Sequence, residues 1–164
     1  ADRPAPAYRN FTRSCGREVE LWFEPGRFLV SEAGILLARV TGLKKNGDEL
    51  LAGVDTGFNH LLRPRLYDAW HGIKNFSNPG GKPTDYRIGG QLCEPDDLAI
   101  GRTLPEIRGG DLLGFHNAGA YGASMASNYN SRPRPAEVLL KNEEARLIRR
   151  RETLDDLLRT QPGA

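Results

Sequence analysis

Hydrophobic and polar residues alternate, or gather into short apolar runs, at several places along the chain. Alternation with a period of two indicates half-buried β-strands, and turn residues separate these stretches. Strands are predicted at Glu18–Phe23, 50–55, 86–93 and 111–117, with a hairpin of residues 136–140 and 145–150 around Lys141–Glu144. Because strands dominate and their connections are short, the pattern predicts a mainly β fold that closes as a barrel or a sandwich.

Two turn signals bound the predicted elements. Asn46-Gly47 lies between two apolar stretches and predicts a tight β-hairpin. Pro95 precedes Asp96 and Asp97, which is typical of a helix start because carboxylates are stabilised at the positive end of the helix dipole.

The helices that the pattern predicts near the start of the chain are few. Prolines and several charges indicate that residues 1–17 form no stable first helix. Phe28–Val40 is apolar nearly all round, which predicts a buried helix that passes into a strand near Ala38.

Two short helices are predicted later in the chain. Residues 62–70 form the first, and on it Arg63 and Tyr67 are four positions apart and share one face. The second runs from Thr153, a favoured capping residue, to residue 158.

Composition narrows the class of protein. The 164 residues suffice for one domain with a real core, and 38% hydrophobic and 27% charged residues are typical of a soluble globular chain. A formal net charge of +2 argues against nucleic acid or an anionic membrane as the main partner. The chain has no apolar run long enough to cross a bilayer and no signal peptide, which predicts a cytoplasmic protein.

Cysteine and histidine usage bears on redox state and metals. Cys15 and Cys93 can pair, but a reducing cytoplasm favours two free thiols. The three histidines show no zinc-binding spacing with each other or with the cysteines, so no metal site is predicted.

Candidate chemistry lies mainly at predicted turns. Glu24-Pro-Gly-Arg27 presents an acid and a base at the end of a strand, which suits either a ligand or an ordinary surface ion pair. Small residues surround Tyr121, so its hydroxyl is available to a phosphate or carboxylate, or else it belongs to a glycine-rich turn. Tyr121, Met125 and Tyr129 recur every four residues and could share one face.

Five motifs together resemble the C-terminal half of the diaminopimelate decarboxylases. In chain order they are Glu24-Pro-Gly-Arg27, Arg63-Pro-Arg-Leu-Tyr67, Cys93-Glu94, Gly119-Ala-Tyr-Gly122 and the run Ser127–Val138. These are pyridoxal-phosphate enzymes of the alanine-racemase-like fold group, to which ornithine and arginine decarboxylases also belong. The resemblance spans roughly residues 18 to 158, and it implies the β-barrel or sandwich domain of a fold-type III decarboxylase with a few short helices.

The resemblance assigns cofactor contacts. Pyridoxal 5'-phosphate acts as an electron sink, and a carboxylate beside its ring nitrogen keeps that nitrogen protonated. The resemblance gives this role to Glu24, places Gly26 and Arg27 at the cofactor, and brings Tyr121 to its phosphate. Arg27 suits either the cofactor phosphate or the substrate carboxylate, because a guanidinium binds both.

The resemblance also implies which residues contact the substrate, a small amino acid, meso-2,6-diaminopimelate. Arg63 and Tyr67, with Tyr121 and Arg27, would hold substrate carboxylates, and Glu94 would bind the distal ammonium group. Cys93 would protonate the carbon that loses carbon dioxide, a role for a positioned acid with a tunable pKa. In the family Cys93 and Glu94 act across a dimer interface, so a homodimer is implied.

The family's other half, a (β/α)8 barrel, has no counterpart motifs here. That half carries the lysine that anchors the cofactor, and all five lysines of this chain (Lys44, Lys45, Lys74, Lys82 and Lys141) are predicted in turns or polar connections. We therefore expect residues 1–27 to be the end of the barrel domain and residues 28–160 to be the C-terminal β domain. The chain alone is expected to be inactive.

Two alternatives to a detached diaminopimelate decarboxylase domain follow from the same motifs. One is a related decarboxylase for an amino acid of a polyamine or aminoglycoside pathway, although Glu94 with Arg63 and Tyr67 argues against it. The other is a non-catalytic dimerisation or regulatory module that has kept the fold.

Overall fold

The structure is a computed structural model that describes residues 4–162. Its centre is a six-stranded sheet of β1 (Leu36–Asn46), β2 (Glu49–Val54), β3 (Ile73–Asn75), β4 (Pro83–Gly89), β5 (Asp97–Pro105) and β6 (Leu112–Phe115). The strand order is β3-β6-β1-β2-β4-β5, and every pair is antiparallel except β2–β4. The two edge strands, β3 and β5, contact each other, so the sheet is nearly closed. The predicted mainly β, barrel-like fold is confirmed.

The core fills the inside of this sheet. Buried and exposed residues alternate along the strands, and Ala38, Val40, Ala52, Val54 and Ile88 are each at most 2% exposed. This is the inward-outward alternation expected of a sheet with one packed face. The sheet therefore encloses a packed apolar core, and most of its polar side chains lie at the rim and in the connecting loops.

Several predicted elements are confirmed where the signal is local. Residues 47 and 48 join β1 to β2, and Gly47 has φ +61, the left-handed conformation that glycine adopts without steric cost. Helix α3 spans Arg63–Tyr67, inside the predicted range. A later helix, Leu154–Leu158, follows a capping box formed by Thr153 and Asp156.

The predictions for the first 40 residues are largely wrong. Helix α1 spans Pro4–Cys15, because prolines in the first turn of a helix sacrifice no intrahelical hydrogen bond. Residues 18–23 form no strand within the described part of the chain, since no neighbouring strand is present to complete a ladder.

The apolar segment Phe28–Val40 does not form a buried helix. Helix α2 spans Gly26–Val30, a 3-10 turn covers Ser31–Ala33, and β1 already begins at Leu36. Phe28 is 86% exposed, and Trp22 of the preceding segment is 83% exposed. An apolar pattern indicates side chains that are stabilised by burial, but no described residue buries Trp22 or Phe28.

A second, two-stranded sheet stands apart from the first. Strands β7 (Glu137–Lys141) and β8 (Glu144–Arg149) pair as the predicted hairpin, and helix α4 (Leu154–Leu158) follows it. Their side chains are mostly exposed, including Leu140 at 76%. Among the described residues, no helix is both long and apolar enough to span a bilayer.

Candidate functional site

Helix α3 presents a guanidinium to two tyrosine rings. The Cζ atom of Arg63 lies 5.6 Å from the ring centroid of Tyr67 and 5.7 Å from that of Tyr121. Both distances permit cation–π attraction, and the predicted shared face of Arg63 and Tyr67 is confirmed. The buried Nε of Arg63 has no hydrogen-bond partner among residues 4–162. These three residues, here called the Arg63 cluster, hold a cation whose donors suit a carboxylate or a phosphate.

A close contact between two backbones places Tyr121 in this cluster. The Gly119 N–H donates to the Ser31 carbonyl oxygen at 3.0 Å. A Cβ atom on Gly119 would overlap the carbonyl oxygen of Val30, so only glycine fits there. The glycine-rich stretch therefore forms a turn that packs on the segment after α2, and Tyr121, with φ +57, leaves that turn toward Arg63.

The four-residue spacing of Tyr121, Met125 and Tyr129 does not produce a helical face. Residues 119–125 are turns, and Tyr129 opens a 3-10 turn that ends at Ser131. Tyr121 contacts Arg63, whereas the Tyr129 ring lies 5.6 Å from that of Phe58.

Glu24, Gly26 and Arg27 are exposed at the start of α2. Arg27 lies close enough to His71 to lower the pKa of that imidazole, as Arg63 also does, although burial is the larger cause. Arg27 and Arg63 therefore lie in the same neighbourhood. Glu24 forms no ion pair with any residue that the structure describes.

His71 is the buried centre of this neighbourhood, at 2% exposure. Its Nδ1 donates a hydrogen bond to the His116 carbonyl oxygen at 2.8 Å, and its Nε2 is buried without a partner among residues 4–162. Burial is the main cause of a lowered pKa at His71, nearby arginines lower it further, and the hydrogen bond to His116 partly opposes them, so the neutral imidazole is favoured.

A second group of polar residues surrounds the loop between β4 and β5. The Sγ of Cys93 lies 3.4 Å from Glu94 Oε2 and 3.3 Å from Asn130 Nδ2. The Tyr129 hydroxyl donates to Glu94 Oε1, and Asn130 Nδ2 donates to Glu94 Oε2 at 3.4 Å. The Tyr129 bond is the main cause of a lowered pKa at Glu94. These four residues, the Cys93 cluster, therefore hold a charged carboxylate beside a thiol.

Sequence reasoning gave no role to Tyr129 or Asn130. Both lie in the Ser127–Val138 run, which contributed to the family resemblance as a motif without a function. The positive φ of Asn130, 55°, shows that the backbone bends sharply there. That bend is a tertiary feature which residue spacing does not indicate.

Asp96 has a structural role, and the predicted helix start at Pro95 is wrong. The buried Asp96 carboxylate accepts hydrogen bonds from the Phe58 N–H at 2.7 Å and the Leu92 N–H at 3.1 Å. Strand β5 begins at the next residue, Asp97. Because Asp96 bonds to two separate loops, it fixes the loop that carries the Cys93 cluster instead of starting a helix.

The Arg63 and Cys93 clusters are separate in this chain. No hydrogen bond, ion pair or aromatic contact joins the two clusters among the described residues. Cys15 and Cys93 are both free and exposed. The described residues include no cluster of metal-binding side chains.

The prediction that all five lysines lie in turns or polar connections is wrong for four of them. Lys44, Lys45 and Lys74 lie in strands β1 and β3, and Lys141 is the last residue of β7, so turns and polar connections do not hold them all. All five lysines are nevertheless exposed.

A nearly closed sheet with the Arg63 cluster on the loops beside it defines a small, mainly β domain. Residues 27–119 match the family model described as "Pyridoxal-dependent decarboxylase, C-terminal sheet domain". The chain belongs to this family.

Individual relatives agree with the family match. A diaminopimelate decarboxylase of Escherichia coli strain K12 is 44% identical over 165 residues, covering 93% of this chain and 39% of the relative. A crystal structure of a diaminopimelate decarboxylase superposes with a TM-score of 0.81 at 41% identity, covering 96% of this chain and 40% of that chain. A crystal structure of the diaminopimelate decarboxylase from M. jannaschii in complex with L-lysine superposes with a TM-score of 0.79 at 37% identity, covering 84% of this chain and 32% of that chain. This chain thus spans between about one third and two fifths of the length of these relatives.

Proposed function

We propose that this chain is the C-terminal sheet domain of a diaminopimelate decarboxylase, a carboxy-lyase that converts meso-2,6-diaminopimelate to L-lysine and carbon dioxide. The observation that carries the proposal is the Arg63 cluster, a cation in contact with two tyrosine rings whose buried Nε has no partner among residues 4–162. All five ordered motifs lie in a chain whose relatives carry that activity. The 164-residue chain alone is inactive, because none of its exposed lysines matches the context of the cofactor-anchoring lysine.

The residues present fit a phosphate-bearing cofactor. The Arg63 Nε is buried and has no partner within residues 4–162, and Arg27 adds a second cation nearby, so an anion would be favoured. When bound, pyridoxal 5'-phosphate supplies an electron sink. Arg27 and Tyr121 would hold its phosphate with the Gly26 backbone beside it, and the Glu24 carboxylate would keep a proton on the ring nitrogen.

Substrate recognition would use charge at both ends of the molecule. Arg63 and Tyr67, with Tyr121 and Arg27, would bind carboxylates through charge-assisted hydrogen bonds. Glu94 would bind the distal ammonium, and its lowered pKa supports a carboxylate that stays ionised at neutral pH. The same residues would reject a diamine precursor that lacks the distal carboxylate.

Cys93 would deliver a proton to the carbon that has lost carbon dioxide. The separation of the Cys93 and Arg63 clusters supports a site that takes each cluster from a different copy of the chain. A cytoplasmic homodimer of the complete enzyme is therefore part of the proposal.

The remaining part of the enzyme would be a (β/α)8 barrel. The proposed boundary is residue 27, with residues 1–27 as the end of the barrel domain and residues 28–160 as the sheet domain. Two observations support it: the family match begins at residue 27, and Trp22 and Phe28 on either side expose large apolar surfaces. A packed barrel would remove such surfaces from water.

A chimera tests this function. The segment of the Escherichia coli relative that aligns with this chain is replaced by the 164 residues, and the gene is placed in a lysine auxotroph that lacks the enzyme. We expect growth without lysine, and L-lysine formation from meso-diaminopimelate by the purified chimera. Arg63→Gln should lower kcat/KM at least a hundredfold, whereas Arg65→Gln on the exposed side of the same helix should have little effect.

Two outcomes would contradict the proposal. One is a folded chimera that binds pyridoxal 5'-phosphate but does not decarboxylate meso-diaminopimelate. The other is release of carbon dioxide by the purified 164-residue chain alone with added cofactor.

A further inference from the structure

A cavity of about 470 Å³ lies between strands β3 and β5 and the residues that follow α3. Its wall includes Trp70, Lys74, Gly101, Arg102, Leu104 and His116. Its volume is within the range of roughly 300–1,000 Å³ that small-molecule sites occupy. None of the residues of the Arg63 and Cys93 clusters lines it. It borders the Arg63 cluster, because Arg102 acts with Arg63 and Arg27 to lower the pKa of His71.

A bulge in β5 brings Arg102 to this cavity. Residue Tyr86 pairs with Arg102 while Ile88 pairs with Ala99, so β5 carries one extra residue between these two pairs. Gly101 lies in that bulge with φ +60. Bulges turn a side chain away from the regular ladder direction, and here the Arg102 guanidinium lies 4.8 Å from the ring centroid of Trp70.

The guanidinium of Arg102 has no counter-charge. Arg87 on the neighbouring strand forms ion pairs with Asp97 and Glu49, but Arg102 forms none with the residues that the structure describes. Its buried Nε has no hydrogen-bond partner within residues 4–162, and burial lowers its pKa. A guanidinium with a buried, unpaired donor and no carboxylate beside it among the described residues would be stabilised by a bound anion.

The surroundings add a further positive charge and a ring nitrogen. Lys74 lines the cavity, and the buried Nε2 of His116 has no partner among the described residues. The described lining residues include no aspartate and no glutamate. The cavity therefore combines an indole wall with two cations and a ring nitrogen, which is the composition of an anion site with one flat apolar side.

We propose that this cavity binds a small anion, a carboxylate or phosphate ester, which Arg102 and Lys74 hold by charge while its apolar part lies against Trp70. The concave shape favours a small molecule over a flat protein surface. The proposal does not depend on the decarboxylase function, because it uses none of the residues assigned to that reaction.

Tryptophan fluorescence can test the site directly. The chain has only Trp22 and Trp70, so the variant Trp22→Phe leaves Trp70 as the sole tryptophan. This variant is titrated with sodium phosphate and with sodium glutarate at constant ionic strength, with sodium chloride as the reference. We expect a saturable change in Trp70 emission with at least one of the two anions, and Arg102→Gln should weaken that binding tenfold or more.

Three further variants complete the test. Arg108→Gln is the matched control, because Arg108 is an exposed arginine paired with Glu106, and it should leave the affinity unchanged. Arg63→Gln should also leave it unchanged, which separates this cavity from the proposed substrate site. If circular dichroism shows that Arg102→Gln does not fold, Lys74→Gln decides, with an expected threefold loss. The absence of saturable binding by either anion, or unchanged affinity in the deciding variant, overturns the proposal.

Discussion

At the scale of single residues, Tyr129 favours the ionised form of Glu94. Its hydroxyl donates to the carboxylate, and this bond is the largest cause of the lowered pKa of Glu94 and of the raised pKa of Tyr129 itself. A hydrogen bond to the ionised form of an acid favours that form. Glu94 is therefore oriented and charged before any ligand arrives.

The variant Tyr129→Phe tests this assignment. It keeps the ring against Phe58 but removes the donor, so the pKa of Glu94 should rise. Carbon-13 NMR titration of the glutamate carboxyl groups measures it. Tyr67→Phe removes a hydroxyl from a residue in the other cluster and should leave the Glu94 titration unchanged. An unchanged Glu94 pKa in Tyr129→Phe would show that Asn130 and the backbone suffice.

The sequence identified part of these contacts and missed the rest for a physical reason. Arg63 and Tyr67 could be placed on one face because a helix brings residues four apart together. The bond between Tyr129 and Glu94 joins residues 35 positions apart through two loops, and no local pattern specifies how such loops cross. The family motif indicated that the stretch around Tyr129 was significant, but it carried no information about the partner.

At the scale of elements, the contact between the segment after α2 and the loop after β6 fixes Tyr121. Ala118 N–H donates to the Gly34 carbonyl oxygen at 2.9 Å, and Gly119 N–H donates to Ser31 at 3.0 Å. These bonds join positions more than 80 residues apart without using any side chain. Tyr121 therefore owes its position to a main-chain contact.

The variant Gly119→Ala should break this contact. The new Cβ would overlap the Val30 carbonyl oxygen, and we expect the free energy of unfolding to fall by about 2–3 kcal/mol because backbone must move. Urea unfolding measures the loss. Gly109→Ala is the matched control, because a Cβ at that turn meets no atom within 4 Å, and it should change stability by less than about 1 kcal/mol. Equal stability of the two variants would contradict the assigned role.

The same distinction explains which elements were predictable. The turn after Asn46, the hairpin around residues 141–144 and helix α3 depend on neighbouring residues, and all three are present. Residues 18–23 have the composition of a strand but lack a neighbouring strand to pair with in the described structure. Pro95-Asp96-Asp97 has the composition of a helix start, but the Asp96 carboxylate bonds to Leu92 of its own loop and to Phe58 of another.

At the scale of the whole molecule, stability is unevenly distributed. The six-stranded sheet contains the core residues, with Leu113 and Ile88 fully buried. The β7–β8 hairpin shares no strand pairing with that sheet, and most of its side chains are in water. An isolated two-stranded hairpin is only marginally stable. We therefore expect the two sheets to open independently.

Hydrogen exchange at low protein concentration measures this difference. Hydrogen-bonded amides of β7 and β8 should exchange roughly a hundredfold faster than those of the β1–β2 hairpin, which has similar local geometry but continues into the larger sheet. Similar protection in both hairpins would mean that the β7–β8 pair is held by contacts stronger than its exposure indicates. Low concentration is needed because exposed leucines such as Leu140 favour self-association.

The main-chain contact near Tyr121 also limits which substitutions this domain can accept during evolution. A Cβ at Gly34 would lie 2.5 Å from the Cα of Gly119, and one at Gly119 would meet Gly34 nitrogen at 2.8 Å. Because the obstructing atoms on both sides belong to peptide groups, no second mutation elsewhere could create room for a side chain. In a library of all single and paired substitutions selected for folding, Gly34 and Gly119 should remain glycine even where all neighbouring residues accept substitution.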